Sequence, residues 1–232
     1  MAPTTAQAPA FKNAQRLNHS LTASAEKRAL QWMAQHAPHW LTSDQLTILG
    51  LAAQIAAGVS YALARYDRRA LLLAILCIAL NWLGDSLDGT LARTRQQQRP
   101  RYGFYVDHVV DIFGATALMS GLGASGLLHW QTALAMLIAF LLLSAESYLA
   151  AYTLTRFEMS QAFTGPTEIR LLLIAGTVAA LRSPFATIYG HKFLLFDIGG
   201  IVAAAAMLAT AITVSLRHTR MLYRQEPLPR RS

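Results

Sequence analysis

The chain has 232 residues, enough for one sizeable domain. Hydrophobic residues make up 54% and charged residues 14%, well below the roughly 25% charged residues of a soluble domain, which excludes a disordered chain, a collagen and, with a single cysteine, a disulfide scaffold. The net charge is +8, from 20 basic and 12 acidic residues, and because the basic residues flank long apolar runs, the partner they predict is a membrane surface and not nucleic acid.

Residues 1–24 hold no apolar stretch of signal-peptide length and are expected to form a flexible arm. Residues 25–40 read as an amphipathic helix with Leu30, Met33, Ala34 and Ala37 at i, i+3, i+4, i+7. Glu26, Lys27, Arg28, Gln31 and Gln35 fall elsewhere on it, and Trp32 and Trp40 suit the headgroup level. Such a helix is expected to lie in the membrane interface, the alternative being an ordinary juxtamembrane linker.

Six apolar segments follow over residues 41–217: Leu46–Ala64, Ala70–Arg93, Phe104–Leu128, Trp130–Thr155, Thr167–Leu181 and Phe193–Ser215. The fifth is short and could run on past Pro184. Each is near the roughly 20 residues a bilayer crossing needs, and the lack of water in hydrocarbon makes them helices. The expected class is therefore all-α: a polytopic membrane protein with six transmembrane helices and an N-terminal interfacial helix. Cys77, within the second segment, reads as a buried core thiol. Residues 218–232 form a basic tail.

With six crossings both termini share one side. That side collects fifteen of the basic residues, and the other collects Arg65, Arg68, Arg69, Arg182 and Lys192. The excess places both termini and the loop after the second segment in the cytoplasm, as in a bacterial inner membrane; Arg65, Arg68 and Arg69 run against the trend.

The second and third segments carry the chemistry. Asp85 and Asp88 are i, i+3, and Asp107 and Asp111 are i, i+4, so each pair shares a helix face. Asp85 lies 8 residues before Arg93 and Asp111 lies 8 after Gly103, which puts both roughly 12 Å in from the connecting loop. Asp88 and Asp107 sit closer to it. Two antiparallel helices joined by a short loop can thus bring four carboxylates to matching depths. Ionised carboxylates there are costly and repel one another. Hard dications, Mg²⁺ or Mn²⁺, would neutralise them, and metals beside Arg93 make a seat for a diphosphate. Two such ions would support in-line displacement at phosphorus. Gly89, Ala92 and Gly103 leave room for a flat base and a pyrophosphate close to the backbone.

Asp85, Asp88, Gly89, Ala92, Arg93, Gly103, Asp107 and Asp111 together spell D-x2-D-G-x2-A-R, nine residues, then G-x3-D-x3-D. This resembles the signature of the CDP-alcohol phosphatidyltransferase family, with every position present, over about residues 40–217. The resemblance implies that Asp85, Asp88 and Asp107 bind two Mg²⁺ or Mn²⁺ ions with Asp111 close by. It implies that Asp111 is the general base for the acceptor hydroxyl, and that Gly89, Ala92, Arg93 and Gly103 contact the CDP part. The hydroxyl would attack the β-phosphorus and CMP would leave. It also implies a homodimer. The family's Pro-Asn-x-x-Thr before the first segment is replaced by Ser43-Asp44-Gln45-Leu46-Thr47, in which Thr47 fits and Asp44 reads as a helix N-cap.

Two branches of the family remain open as partners: CDP-diacylglycerol with a small polar alcohol, or a CDP-aminoalcohol with diacylglycerol. The Asp107-His108-x-x-Asp111, Glu146-x-Tyr148 and Gly165-Pro166-Thr167-Glu168 fragments resemble the aminoalcohol branch, whereas the compact length resembles the phosphatidyl-transferring one, toward which the reading leans. Candidate acceptor residues are His108, Glu146, Arg156, Glu168 and Arg170. Glu146 could instead pair with a neighbouring Tyr or Arg, His108 could orient or pack, and the two arginines could be membrane anchors. Intramembrane acids also mark ion-coupled transporters, but those place them near the midplane, and here they lie near one end.

Overall fold

The computed structural model describes residues 23–154, 166–226 and 228, with side chains from Glu26 onward. The chain is mostly helical: α1 (Ala23–His36), α2 (Ser43–Leu63), α3 (Ala70–Thr94), α4 (Pro100–Ala124), α5 (Trp130–Leu154), α6 (Pro166–Arg182) and α7 (Leu195–Gln225). Among the described residues the one departure from an all-α chain is the hairpin of β1 (Phe185–Ile188) and β2 (His191–Leu194) between α6 and α7. Its antiparallel register pairs Phe185 with Leu194 and Ile188 with His191, and Tyr189 and Gly190 turn it with φ of 50° and 83°, the positive values a two-residue hairpin requires.

The boundaries follow local chemistry. A capping box starts α2: Thr42 Oγ1 accepts from Gln45 N at 3.2 Å, and Thr42 N donates to Gln45 Oε1 at 2.8 Å. The cap is therefore Thr42; Asp44 lies in the first turn and pairs with Arg99, which holds the Arg99 guanidinium above its usual value. Pro100 opens α4 at a position where no amide is needed. α6 does not run past Pro184; it stops at Arg182 because the residue before a proline is pushed out of the helical region. α7 goes beyond Ser215 to Gln225, since nothing breaks the helical pattern until Pro227.

The helices pack round a ring. α2 lies on both α3 and α4, α4 on α5, α5 on α7, α7 touches α6, and α6 returns to α3. α3 and α4 do not pack along each other, so α2 is the wedge between them. The close crossings use glycines: a Cβ on Gly84 of α3 would stand 2.6 Å from Leu46 O, and one on Gly121 of α4 would overlap Gly58 O of α2. Small residues that let backbones touch are how helices associate where lipid supplies no hydrophobic drive.

One end of the ring is solid. Tyr61, Leu71, Ala74, Leu122, Leu128 and Ala180 belong to one buried cluster, and the buried Tyr61 hydroxyl meets Thr177 Oγ1 across the ring at 2.5 Å. Cys77 is buried in the same cluster, as expected. The other end is hollow and polar. α1 lies against α3 there: Leu30 and Ala34 are buried with Leu46, Leu87 and Leu91. The apolar stripe of α1 thus faces protein, while Trp32 and Trp40 are exposed.

Among the described residues four helices, α2, α3, α5 and α7, are long and apolar enough to cross a membrane. α4 has the length but carries Arg101, Asp107 and Asp111, and α6 has only 17 residues.

Candidate active site

At the other end an open pocket is lined by Thr47, Gly50, Gln54, Asn81, Asp85, Asp88 and Asp111, with Leu51 and Val110. α2 forms its floor, and α3 and α4 form opposite walls. The four predicted carboxylates are therefore brought together across a cleft, not along a shared helix seam. Asp88 is within electrostatic reach of Asp107 and Asp85, and Asp111 is within reach of Asp85, Asp107, Asp88 and Arg170. Asp107 is half-buried one turn from Asp111, toward the connecting loop, and is not among the pocket-lining residues.

Both acids of the α3 wall are held. Asp88 Oδ2 accepts from Thr47 Oγ1 at 2.7 Å, its Oδ1 accepts from Gly89 N, and its carbonyl accepts from Ser43 Oγ at 3.0 Å. Asp85 Oδ2 accepts from Arg170 Nη2 at 2.7 Å, while Arg170 Nε donates to Asn81 Oδ1 at 2.9 Å. Asn81 in turn donates to Gly50 O at 3.0 Å. Among the described residues the buried Arg170 Nη1 has no hydrogen-bond partner, and an orphan donor costs free energy unless something anionic or polar meets it.

Among the described residues, no three His, Cys, Asp or Glu side chains converge as a ready set of metal ligands; Asp85 faces Arg170 and Asp88 faces Thr47. The donor chemistry nevertheless fits a hard dication: oxygen ligands only, three of the carboxylates lining one pocket, and one guanidinium too few to balance four acids.

Gly89, Ala92 and Arg93 lie on the last turns of α3, with Arg93 donating to Thr90 Oγ1 at 3.0 Å. A Cβ on Gly103 would meet nothing within 4 Å, so Gly103 borders open space, whereas a Cβ on Gly89 would stand 3.4 Å from the Arg93 guanidinium.

The acceptor candidates separate. Arg170 joins the acids. His108 Nδ1 lies 2.6 Å from Phe104 O, and its ring stacks at 4.1 Å on Phe104 and edge-on at 4.6 Å against Tyr148, so the histidine is oriented and packed. Among the described residues Glu146 pairs with His218 of α7 and not with a Tyr or Arg: its Oε1 lies 2.6 Å from His218 Nδ1, and its buried Oε2 has no partner there. Glu168 is half-buried in the first turn of α6, outside the pocket lining. Arg156 and Gly165 lie outside the described residues.

Thr47, Asn81 and Gln54 complete the pocket, and Ser43 holds the Asp88 carbonyl. Thr47 carried a signal, its place in the motif that opens α2; the other three are single polar residues whose roles arise only where α2 crosses α3.

A profile of the CDP-alcohol phosphatidyltransferase family matches residues 40–216. No curated protein sequence matches the chain. Among solved structures, the fold is similar to that of phosphatidylinositol phosphate synthase (PgsA1) of Mycobacterium tuberculosis with CDP-DAG bound, at 18% identity and a TM-score of 0.59, covering 90% of this chain and 99% of that one. The same enzyme in complex with manganese and citrate matches at 19% identity and a TM-score of 0.60, covering 89% and 93%.

Proposed function

The chain belongs to the CDP-alcohol phosphatidyltransferase family, and from that premise we propose that it is a membrane enzyme of phospholipid synthesis that transfers a phosphatidyl group from CDP-diacylglycerol to a small polar alcohol and releases CMP. The observation that carries the choice of branch is the buried guanidinium of Arg170 at the acid cluster, with one nitrogen unpartnered. A guanidinium there suits an acceptor bearing an anionic group. In the aminoalcohol branch the ammonium is carried by the donor, and the carboxylate suited to it, Glu146, already has its Oε1 against His218.

In this reading all six helices from α2 to α7 cross the membrane, with both termini and the pocket on the cytoplasmic side of a bacterial inner membrane, and the protein is a homodimer. Asp85, Asp88, Asp107 and Asp111 would hold two Mg²⁺ or Mn²⁺ ions, which supply charge neutralisation for the diphosphate and for the transition state. The rest falls to the chain's own groups. Gly89, Ala92, Arg93 and Gly103 border the space for the CDP part, where a flat ligand can approach the backbone. The α2 wedge sets the separation of the two acidic walls. Asp111 accepts the proton of the acceptor hydroxyl as the new oxygen–phosphorus bond forms at the β-phosphorus and the bond to CMP breaks. Arg170 binds the anionic part of the acceptor and orients its hydroxyl.

The test is CMP release by the purified protein from labelled CDP-diacylglycerol or CDP-ethanolamine, each with a panel of acceptors (glycerol phosphate, inositol phosphate, serine and diacylglycerol). Turnover of CDP-diacylglycerol, abolished by EDTA and restored by Mn²⁺ or Mg²⁺, is expected. Turnover of CDP-ethanolamine alone would move the protein to the other branch, and turnover unaffected by EDTA would remove the metal reading.

A further inference from the structure

Glu26 stands on α1, the helix whose polar face the sequence assigns to water, yet its carboxylate is half-buried. One oxygen, Oε1, accepts from three donors: Trp82 Nε1 at 3.0 Å, Ser86 Oγ at 3.4 Å and Thr167 Oγ1 at 2.9 Å. The donors come from two helices. Trp82 and Ser86 are i, i+4 on α3 and bracket Asp85 in sequence; Thr167 is three residues before Arg170 on α6. The turn of α3 that presents Asp85 to Arg170 therefore also presents two donors to Glu26, and the turn of α6 that sends out Arg170 also sends Thr167.

Three polar ties thus join the start of α6 to α3: Arg170 to the pocket-lining Asp85 and Asn81 directly, and Thr167 to Ser86 and Trp82 through Glu26. They cannot serve equally during the reaction. A carboxylate that turns to a ligand in the pocket gives up Arg170. The tie through Glu26 lies on the neighbouring face of α3, and none of its three donors lines the pocket, so it survives. We infer that Glu26 is a positioning residue: it keeps the first turn of α6 docked on α3, and so keeps Arg170 within reach of the pocket, when Asp85 is occupied. The inference rests on the reading of Arg170 as the acceptor's anion contact. Its physical basis is the convergence of three neutral donors on one carboxylate oxygen, since hydrogen bonds to a charged group are the strong ones.

Hydrogen exchange of the full-length protein in detergent micelles tests the docking without any turnover. With Mn²⁺ and CDP-diacylglycerol present, Glu26→Ala is expected to raise exchange about ten-fold in a peptide covering 166–172, while the hairpin at 185–194 keeps its wild-type rate. Glu26→Gln, whose amide oxygen still accepts, is expected to restore most of the protection. In kinetics, Glu26→Ala is expected to raise KM for the acceptor that supports CMP release about ten-fold, with kcat and the donor KM within two-fold of wild type. Unchanged exchange at 166–172 would overturn the inference, as would a fall in kcat at constant acceptor KM. If wild type releases no CMP from any donor, the functional reading fails while the exchange result still decides whether Glu26 docks α6.

Discussion

Asp88 and Asp111 line the same pocket but are held differently. Asp88 accepts a side-chain bond from Thr47 and a backbone bond from Gly89, which fixes its orientation. The residues acting on Asp111 are the other three acids and Arg170. A ligand carboxylate needs orienting partners, and a base needs room to take a proton; the two settings match the two proposed roles. Thr47→Val removes the Asp88 tie without changing shape, and Mn²⁺ affinity, followed by electron paramagnetic resonance of free Mn²⁺, is expected to fall about ten-fold. Asp111→Asn is expected to lower CMP release by about 10²–10⁴-fold with an unchanged helical circular dichroism spectrum; full activity would end its role as base. The acids were legible in the sequence because i, i+3 and i, i+4 spacing is a local property. The partners of Asp85 and Glu26 were not, because Arg170 and Thr167 reach them from a helix more than eighty residues later, and no local pattern records which face α6 turns to α3.

At the scale of the helix, two classes of glycine behave differently. Gly121 and Gly58 sit where α4 and α2 touch, with space for no further atom, whereas Gly103 borders open space. Gly121→Val is therefore expected to destabilise the bundle by about 3 kcal/mol or more, read as a lowered melting temperature in detergent, although it lies far from every acid. Gly103→Ala is expected to leave the melting temperature unchanged and to weaken donor binding alone. Composition places neither class: both read as glycines in apolar helices, and only the crossing of α2 over α4 separates them. The same limit applies to α1. Its period and stripe were legible and its position was not, because an apolar stripe on a helix is satisfied equally by lipid or by Leu87 and Leu91 of α3. Arg95 also reads as a membrane anchor by charge alone, yet it donates to Ala37 O at 3.1 Å and Pro38 O at 2.8 Å and so fastens the end of α1 to α3.

The whole molecule is polar and hollow at one end and packed at the other, and this polarity decides how it would sit in a bilayer. The ends of α2, α4 and α6 meet the starts of α3 and α5 at the packed end, where Ala64, Leu71, Leu128, Ala133 and Ala180 share one cluster. The three arginines at 65, 68 and 69 that run against the charge trend lie at this end, and one of them closes a helix terminus. Arg68 Nη2 donates to Ala180 O at 2.7 Å near the end of α6, meeting a carbonyl the last helical turn leaves open. Its charge is thus no vote for the cytoplasm. If α4 and α6 cross along with the four more apolar helices, the exposed positions Tyr66, Gln131 and Tyr189 share one side of the membrane and Gln97 lies on the other. Single cysteines at these positions test that arrangement in intact cells, since native Cys77 is buried. An impermeant maleimide is expected to label Tyr66→Cys, Gln131→Cys and Tyr189→Cys from outside, and Gln97→Cys only after permeabilisation. Gln131→Cys labelling together with Gln97→Cys would mean that α4 re-enters rather than crosses; Tyr189→Cys labelling on the side of Gln97→Cys, with Gln131→Cys still labelled from outside, would mean the same of α6. Either result would reduce the six crossings toward the four that length and apolarity alone support, and the pocket between α2, α3 and α4 would then need a different relation to the lipid that is proposed to enter it.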